Sequence, residues 1–560
     1  LIPPNDDGLL QALPSPLARN AERIAAGRGT GGGGMEDEKD AGGEEAGSRS
    51  ARPGGDVQDE VARLLLGLPV DGGQAVRVDT HGAVVVLAGP DVYKMKRAVR
   101  LPFMDLSTLE RRRVACEREV AVNRAFAPAL YRGVVPVTRS PDGHLRLGGE
   151  GPAVEWLVHM HRFDETQTLD RIADRGELTA DLVGRTAAVV ATAHAKAPVT
   201  VASDFAAHLR AIVEENTATL LDHPAALPPR RVAALGEATF AALVTATPLL
   251  IERQQRGYVR RCHADLHLRN IVLIGGAPTL FDALEFDEDL ATVDILYDLA
   301  FLIMDLWFRG RPIEANLVLN RSLAEARDEA GLAGLAALPL FVAVRAGIRA
   351  KVAAVRHAQS GEAPAREEAL RYLALSEDAL RPVAPQLIAI GGLSGSGKSS
   401  VAARIAASVG RLPGAVHLRS DVERKGLLGV EEHRRLDEAA YDTATTEAVY
   451  SILHRKAATV LRAGLAVVVD AVHQREDERH AVAALAADLG VGFTGVWLDA
   501  PTAALEDRVE RRRGDASDAD ARVVAQQAGR SSGRIDWHRV DASRPLAAVV
   551  ADVAALVAGA

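Results

Sequence analysis

The segment Gly392-Leu393-Ser394-Gly395-Ser396-Gly397-Lys398-Ser399 constrains this chain more than any other stretch. It satisfies the pattern G-x-x-x-x-G-K-[ST] in full. Glycines at 392, 395 and 397 let backbone N–H groups, with those of Ser394 and Ser396, wrap an anion where a Cβ would clash. Lys398 is spaced to reach the β and γ phosphates of a nucleotide, and Ser399 to hold Mg²⁺. The apolar run Leu387–Ile390 precedes the loop and the Ala-rich Val401–Ser408 follows it. Strand, loop and helix are therefore expected in that order, with the helix N-terminus facing the anion. From 386 to 560 strand and helix patterns alternate, as a parallel α/β sheet requires.

Three downstream features fit one nucleotide site. The β-branched run Leu465–Val469 ends in Asp470, where a carboxylate can hold the metal or its water. Asp421 follows the apolar Ala415–Leu418 and suits a general base for an acceptor hydroxyl. Nearby Arg424 suits an anionic acceptor. The competing reading makes Asp421 a helix cap and Arg424-Lys425 a solvated basic face. Arg508 and Arg511, at helical spacing in Leu505–Gly514, suit a nucleotide or lid role, or a plain surface charge run. On Gly392–Ser399, Ser420–Lys425, Val467–Asp470 and Leu505–Arg513 with Ser517-Asp518-Ala519, the region from 386 to 560 resembles the small P-loop kinases of the polynucleotide-kinase, zeta-toxin and gluconate-kinase group. That resemblance implies an acceptor role for Asp421 and Arg424 and a nucleotide or lid role for Arg508 and Arg511.

A second constellation lies upstream. His263-Ala264-Asp265-Leu266-His267-Leu268-Arg269-Asn270 has the spacing H-x-D-x-x-x-x-N of a kinase catalytic loop. Asp265 would accept or orient the proton of an attacking hydroxyl, and Asn270 would reach a Mg²⁺. The strand Ile271–Ile274, the turn Gly275-Gly276 and the return Leu280-Phe281-Asp282 bring Asp282 beside Asn270 as a second metal ligand. Glu285 and Asp287 either assist or are solvated. Asp298 either braces the catalytic loop or caps the helix that follows it. On the strand Val92–Lys96, Lys94 and Lys96 share one face, and Lys94 is the first choice for the α and β phosphates. The helix Leu109–Phe126 offers Glu117 or Glu119 as its partner. Glu155-Trp156-Leu157 is the candidate hinge for adenine.

The order of these segments, from 57 to 380, resembles the aminoglycoside phosphotransferase-like kinases. With the P-loop part it is similar to bacterial bifunctional aminoglycoside phosphotransferase/ATP-binding proteins. No G-x-G-x-x-G loop precedes Lys94, so Thr80–Gly82 must cover the phosphates by another route. Aminoglycosides are polycations whose pockets need many carboxylates, and the region after Asp282 offers Glu285, Asp287, Glu288 and Asp289.

The fold expected is an α+β two-lobe protein-kinase-like domain (57–380), a linker (381–385) and an α/β P-loop domain (386–560). Residues 1–56, rich in Gly, Ser and charge, are expected to be a disordered tail. Leu1 and Met35 are rival start points. Net charge is −9, which counts against nucleic acid and anionic membrane as partners. No apolar run in the sequence reaches the roughly 20 residues of a membrane helix. Two cysteines, Cys116 and Cys262, point to a reducing cytoplasm. The function expected is ATP- and Mg²⁺-dependent transfer of a γ-phosphoryl group to small-molecule hydroxyls at two sites. A regulatory ATPase switch and a nucleic-acid end kinase are the alternatives.

Overall fold

The computed structural model describes residues 55–560 apart from 81, 102–103, 201–203, 433, 512–516 and 560. The expected tail lies almost wholly outside the described residues. At its inner boundary the helix α1 (Gly55–Leu66) starts at residue 55, inside the stretch read as tail. Val61, Ala62 and Leu65 of this helix are buried against a sheet, which gives the segment a reason to fold.

That sheet comprises β1 (Val76–Asp79), β2 (Ala83–Ala88), β3 (Asp91–Lys96), β4 (Tyr131–Arg139), β5 (Leu145–Leu147) and β6 (Ala153–His161). It is antiparallel throughout, in the order β1-β2-β3-β6-β4-β5. Helix α2 (Leu109–Asn123) packs Cys116 and Val120 against Tyr131, Val158 and Met160. Thr108 caps it by accepting from the Arg111 N–H, so its charged inner residues are aimed at β3.

A helical lobe follows. It contains α3 (Ala180–Lys196), α4 (Phe205–Leu221), α5 (Pro229–Gln255), α6 (Ile295–Phe308), α7 (Pro312–Ala326), α8 (Leu338–Ser360) and α9 (Ala363–Leu380). Short strands β7 (Val259–Arg261), β8 (Ile271–Ile274), β9 (Ala277–Leu280) and β10 (Thr292–Asp294) form two small hairpin-like pairs at its surface toward the sheet. Two helical stretches, Pro229–Gln255 and Ala330–Ser360, are long and apolar enough to cross a membrane by length and composition. This corrects the sequence reading, which counted unbroken apolar runs and missed helices interrupted by single polar residues. In the second stretch 78% of the most apolar 18-residue window is buried inside the protein, so its apolar surface is core.

Residues 381–385 carry no helix or strand. Beyond them lie β11 (Gln386–Gly391), α10 (Lys398–Ala406), β12 (Val416–Arg419), α11 (Ser420–Leu427), α12 (Thr443–Arg462), β13 (Val467–Asp470), α13 (Glu476–Leu489), β14 (Gly492–Asp499), α14 (Thr502–Arg511), α15 (Ala521–Ala528), β15 (His538–Asp541) and α16 (Leu546–Ala558). The five strands are all parallel, in the order β12-β13-β11-β14-β15. All four inner residues Val467–Asp470 of β13 are buried, as a strand covered on both faces must be. One apolar core is continuous from the helical lobe, through Leu340 and Phe341, to Leu387, Val416 and Val467 of this sheet. The two modules are thus packed on each other and not merely tethered.

Candidate active sites

The first site is built between the antiparallel sheet and the helical lobe. The Phe281 N–H donates to the Asn270 carbonyl at 3.0 Å, closing the β8–β9 hairpin and setting Asp282 one residue beyond. Asn270 donates through Nδ2 to the Asp265 carboxylate at 2.9 Å and to the Asp265 carbonyl at 3.0 Å. Ala264 and Asp282 both have left-handed backbone, with φ 67° and 58°. Non-glycine residues held there cost about 1–3 kcal/mol each, and such strain gathers at functional sites.

Lys94 Nζ lies 2.9 Å from Glu119 and 3.3 Å from Asp282. Lys96 Nζ lies 2.5 Å from the other oxygen of Glu119 and 2.7 Å from Glu285. Glu119 is therefore the helix partner, shared by both lysines, while Glu117 pairs with Arg113 on the surface. Lys94 is the one that reaches Asp282. Burial alone would lower the Lys94 pKa, but Asp282, Glu119 and Glu285 outweigh it and hold the amine charged. Two ammoniums face three carboxylates here, an excess of one negative charge. A divalent cation on Asp282 and Asn270 offsets that excess, so the donor set fits Mg²⁺.

Two carboxylates of α6, two helical turns apart, hold the catalytic loop from below. Asp298 accepts from the Ala264 N–H at 2.8 Å, and Asp305 from the Leu268 N–H at 3.0 Å. Asp298 also meets His194 Nε2 at 2.9 Å, and Asp294 caps the helix, so Asp298 is a brace. Cys262 lies beside this pair, with its thiol 3.6 Å from the Val293 carbonyl. These internal bonds account for the His194, Cys262 and Asp298 cluster without a metal. Asp298→Ala leaves a buried N–H and a buried imidazole unpaired. It is expected to cost about 3 kcal/mol, read as a lowered melting temperature in calorimetry. Asp265 is raised by burial, but His267 and His263 outweigh this and keep its carboxyl below the usual range. His267 Nε2 is 3.6 Å away.

One sequence expectation fails in this region. Glu155, Trp156 and Leu157 lie inside β6, and Glu155 is fully buried. Arg112 holds its carboxylate at 2.9 Å and Gln58 at 2.8 Å, so it ties α1, α2 and the sheet together and is no adenine hinge. The chain leaves the sheet after His161. The acids after Asp282 each have a contact within the protein. Glu285 is taken by Lys96, Asp287 caps the short helix Glu288–Ala291, Glu288 meets Arg261 at 3.3 Å, and Asp289 stands 3.9 Å from His208. Of the segment expected to cover the phosphates, residue 81 lies outside the described residues; the Thr80 N–H donates to the Ala83 carbonyl at 2.9 Å and Arg97 donates to the Thr80 carbonyl at 2.8 Å.

The second site lies at the carboxyl ends of the parallel strands. Register pairs Ile390 and Arg419 each with Asp470, so strand end, loop and carboxylate meet at one edge. Gly395 has φ 81°, and a Cβ there would stand 2.5 Å from the Leu505 carbonyl oxygen. Gly397 has φ 90° and caps α10, with open space where its Cβ would be. Gly392, Ser394, Ser396 and Gly397 shape the loop. Ser394, Gly395, Gly397, Lys398 and Ser399 line a cavity of about 2250 Å³. Lys398 Nζ donates to the Leu393 carbonyl at 3.1 Å. Asp421, Arg424, Asp470, Arg508 and Arg511 line the same cavity.

Asp421 sits in the first turn of α11 but makes no capping bond; Arg419 occupies the cap position. Burial and the Asp470 charge raise its pKa above the ordinary carboxylate value. Asp470 moves the other way: burial raises it, but His417, Arg419 and Lys398 outweigh burial and keep it ionised. An ionised Asp470 with the Ser399 hydroxyl fits a hard cation. Arg424 is buried, donates to the Ala440 carbonyl at 2.9 Å, and stacks 4.7 Å over Tyr441. Among the described residues no carboxylate is ion-paired with it. Lys425 is also buried and held by Asp518 at 3.1 Å, which corrects the solvated-face reading. Arg508 donates to the Ala542 carbonyl at 2.8 Å, while Arg511 is mostly exposed and paired with Asp507. Sequence reasoning missed His417, Arg419 and Tyr441. Alternation in β12 puts His417 and Arg419 on one face, which was the available signal.

An AAA domain family model matches residues 387–532. The uncharacterized protein Rv2004c of Mycobacterium tuberculosis is 31% identical over 475 residues, covering 83% of this chain and 92% of that protein. The uncharacterized protein Mb2027c of Mycobacterium bovis gives the same figures. Among solved structures, a gluconokinase from Sinorhizobium meliloti is 23% identical, covering 32% of this chain and 94% of that one, with a TM-score of 0.24. A choline/ethanolamine kinase family protein from Mesorhizobium loti is 14% identical, covering 58% and 95%, with a TM-score of 0.37. The chain belongs to the family of these mycobacterial proteins, and its phosphate loop lies within the AAA domain match.

Proposed function

We propose that the protein is a phosphotransferase with two ATP sites, each passing the γ-phosphoryl group to a small-molecule hydroxyl. What supports this is the same set of parts in both clefts: a phosphate-facing ammonium, an oxygen pair for a metal, and a further carboxylate. In the first cleft these are Lys94, Asn270 with Asp282, and Asp265. In the second they are Lys398, Ser399 with Asp470, and Asp421. The acceptor oxygen attacks the γ phosphorus, its proton passes to Asp265 or Asp421, and the bond to the β-phosphate oxygen breaks to release ADP. Mg²⁺, when bound, neutralises charge on the β and γ oxygens. Positioning and charge neutralisation supply the rate.

Neither carboxylate is needed by a nucleotide switch, so the regulatory ATPase ranks second. Arg424, buried and without an ion-paired carboxylate among the described residues, favours an acceptor bearing an anionic group at the second site. Of the acids after Asp282, Glu285 is committed to Lys96, so the case for an aminoglycoside acceptor at the first cleft rests on Asp287, Glu288 and Asp289. A metabolite library incubated with γ-labelled ATP tests the proposal. Labelled metabolites should appear, one set lost in Asp265→Asn and another in Lys398→Ala. Release of inorganic phosphate alone would leave the ATPase reading.

A further inference from the structure

Strand β12 is the edge of the parallel sheet, and an edge leaves backbone groups without a ladder partner. Here those groups are satisfied by side chains from the first module. Asn316 and Asn320, one turn apart on α7, present their amides along the edge. Asn316 donates to the Pro413 carbonyl at 3.1 Å and the Ala415 carbonyl at 3.0 Å. Asn320 donates to the Ala415 carbonyl at 3.2 Å and accepts from the His417 N–H at 2.7 Å.

The contact continues into the second site. His417 Nε2 stands 3.3 Å from Asp470 Oδ2. Arg321, the next residue on α7, is ion-paired with Glu432. Glu432 lies 3.9 Å from Arg419, and Arg419 Nε lies 3.7 Å from the same Asp470 oxygen. Two relays therefore start at adjacent residues of the first module and end on one carboxylate oxygen of the second.

We propose that Asn320 and Arg321 are positioning residues for the second site, orienting Asp470 toward the metal through His417 and through Glu432 and Arg419. The proposal rests on reading Asp470 as a metal ligand. Groups that orient metal ligands typically set metal affinity by about 10–100-fold. Docking of the first module thereby becomes a condition for magnesium-dependent nucleotide binding in the second.

The test uses the full-length chain and a fluorescent ATP analogue, following the component of binding that Lys398→Ala removes. Affinity is measured in EDTA and across a Mg²⁺ titration. Asn320→Ala with Arg321→Ala should raise the Mg²⁺ midpoint about tenfold, while affinity in EDTA stays within about twofold. Glu432→Gln, which cuts one relay from the other side, should raise the midpoint in the same direction and serves if the double variant does not fold. An unchanged midpoint in a folded variant overturns the relay. Asp470→Asn separates the two ideas: if it leaves the magnesium-dependent gain intact, the metal reading itself fails. If Asp470→Asn removes the gain and the relay variants do not, only the relay fails.

Discussion

Asp265→Asn should lower turnover at the first site about a thousandfold while leaving MgATP affinity nearly unchanged. The substitution is close to isosteric. An asparagine oxygen still accepts from Asn270 Nδ2, which now donates to Asp265 at 2.9 Å, so the loop keeps its shape. What disappears is the group able to take the acceptor proton. Lys94, proposed for the phosphates, and Asn270 with Asp282, proposed for the metal, are untouched, so binding should survive. Measured in a Lys398→Ala background, all remaining transfer belongs to the first site. Loss of affinity in step with turnover would show that Asp265 serves binding, and normal turnover would remove it from the mechanism.

Lys398→Ala should weaken nucleotide binding at the second site about a hundredfold, with the first site unaffected. Charge-assisted hydrogen bonds are worth about 1.5–3 kcal/mol each, and one ammonium serves two phosphates. Lys398 Nζ donates here to the Leu393 carbonyl at 3.1 Å, a contact that a triphosphate would replace. Calorimetric titration should therefore resolve two sites in the native chain and one in the variant. Two sites of unaltered affinity would mean that the loop at 392–399 does not grip a nucleotide.

Local patterns in the chain carried much of this. The phosphate loop is legible because backbone amides can surround an anion only where glycines permit left-handed turns, and the demand falls on consecutive residues. The Asp265–Asn270 spacing and the β8–β9 hairpin are likewise local, so Asp282 could be placed beside Asn270 by counting. The choice between Glu117 and Glu119 could not, because both lie on a charged helix and only the sheet decides which faces inward. Glu155 misled for the same reason. A carboxylate on a strand reads as a polar edge until Arg112 and Gln58 are found against it.

What the amino-acid order carried alone was two short segments, each suited to hold a phosphate or a metal by contacts among near neighbours. Tertiary structure alone decided which charges are spent on the protein itself. Glu285 is spent on Lys96, Lys425 on Asp518, and Asn320 with Arg321 on the far module's edge. These pairings join residues roughly 90–190 positions apart. No local periodicity encodes such a partner, because the energy that selects it is the cost of burying a charge or an amide unpaired, and burial exists only once the chain has folded.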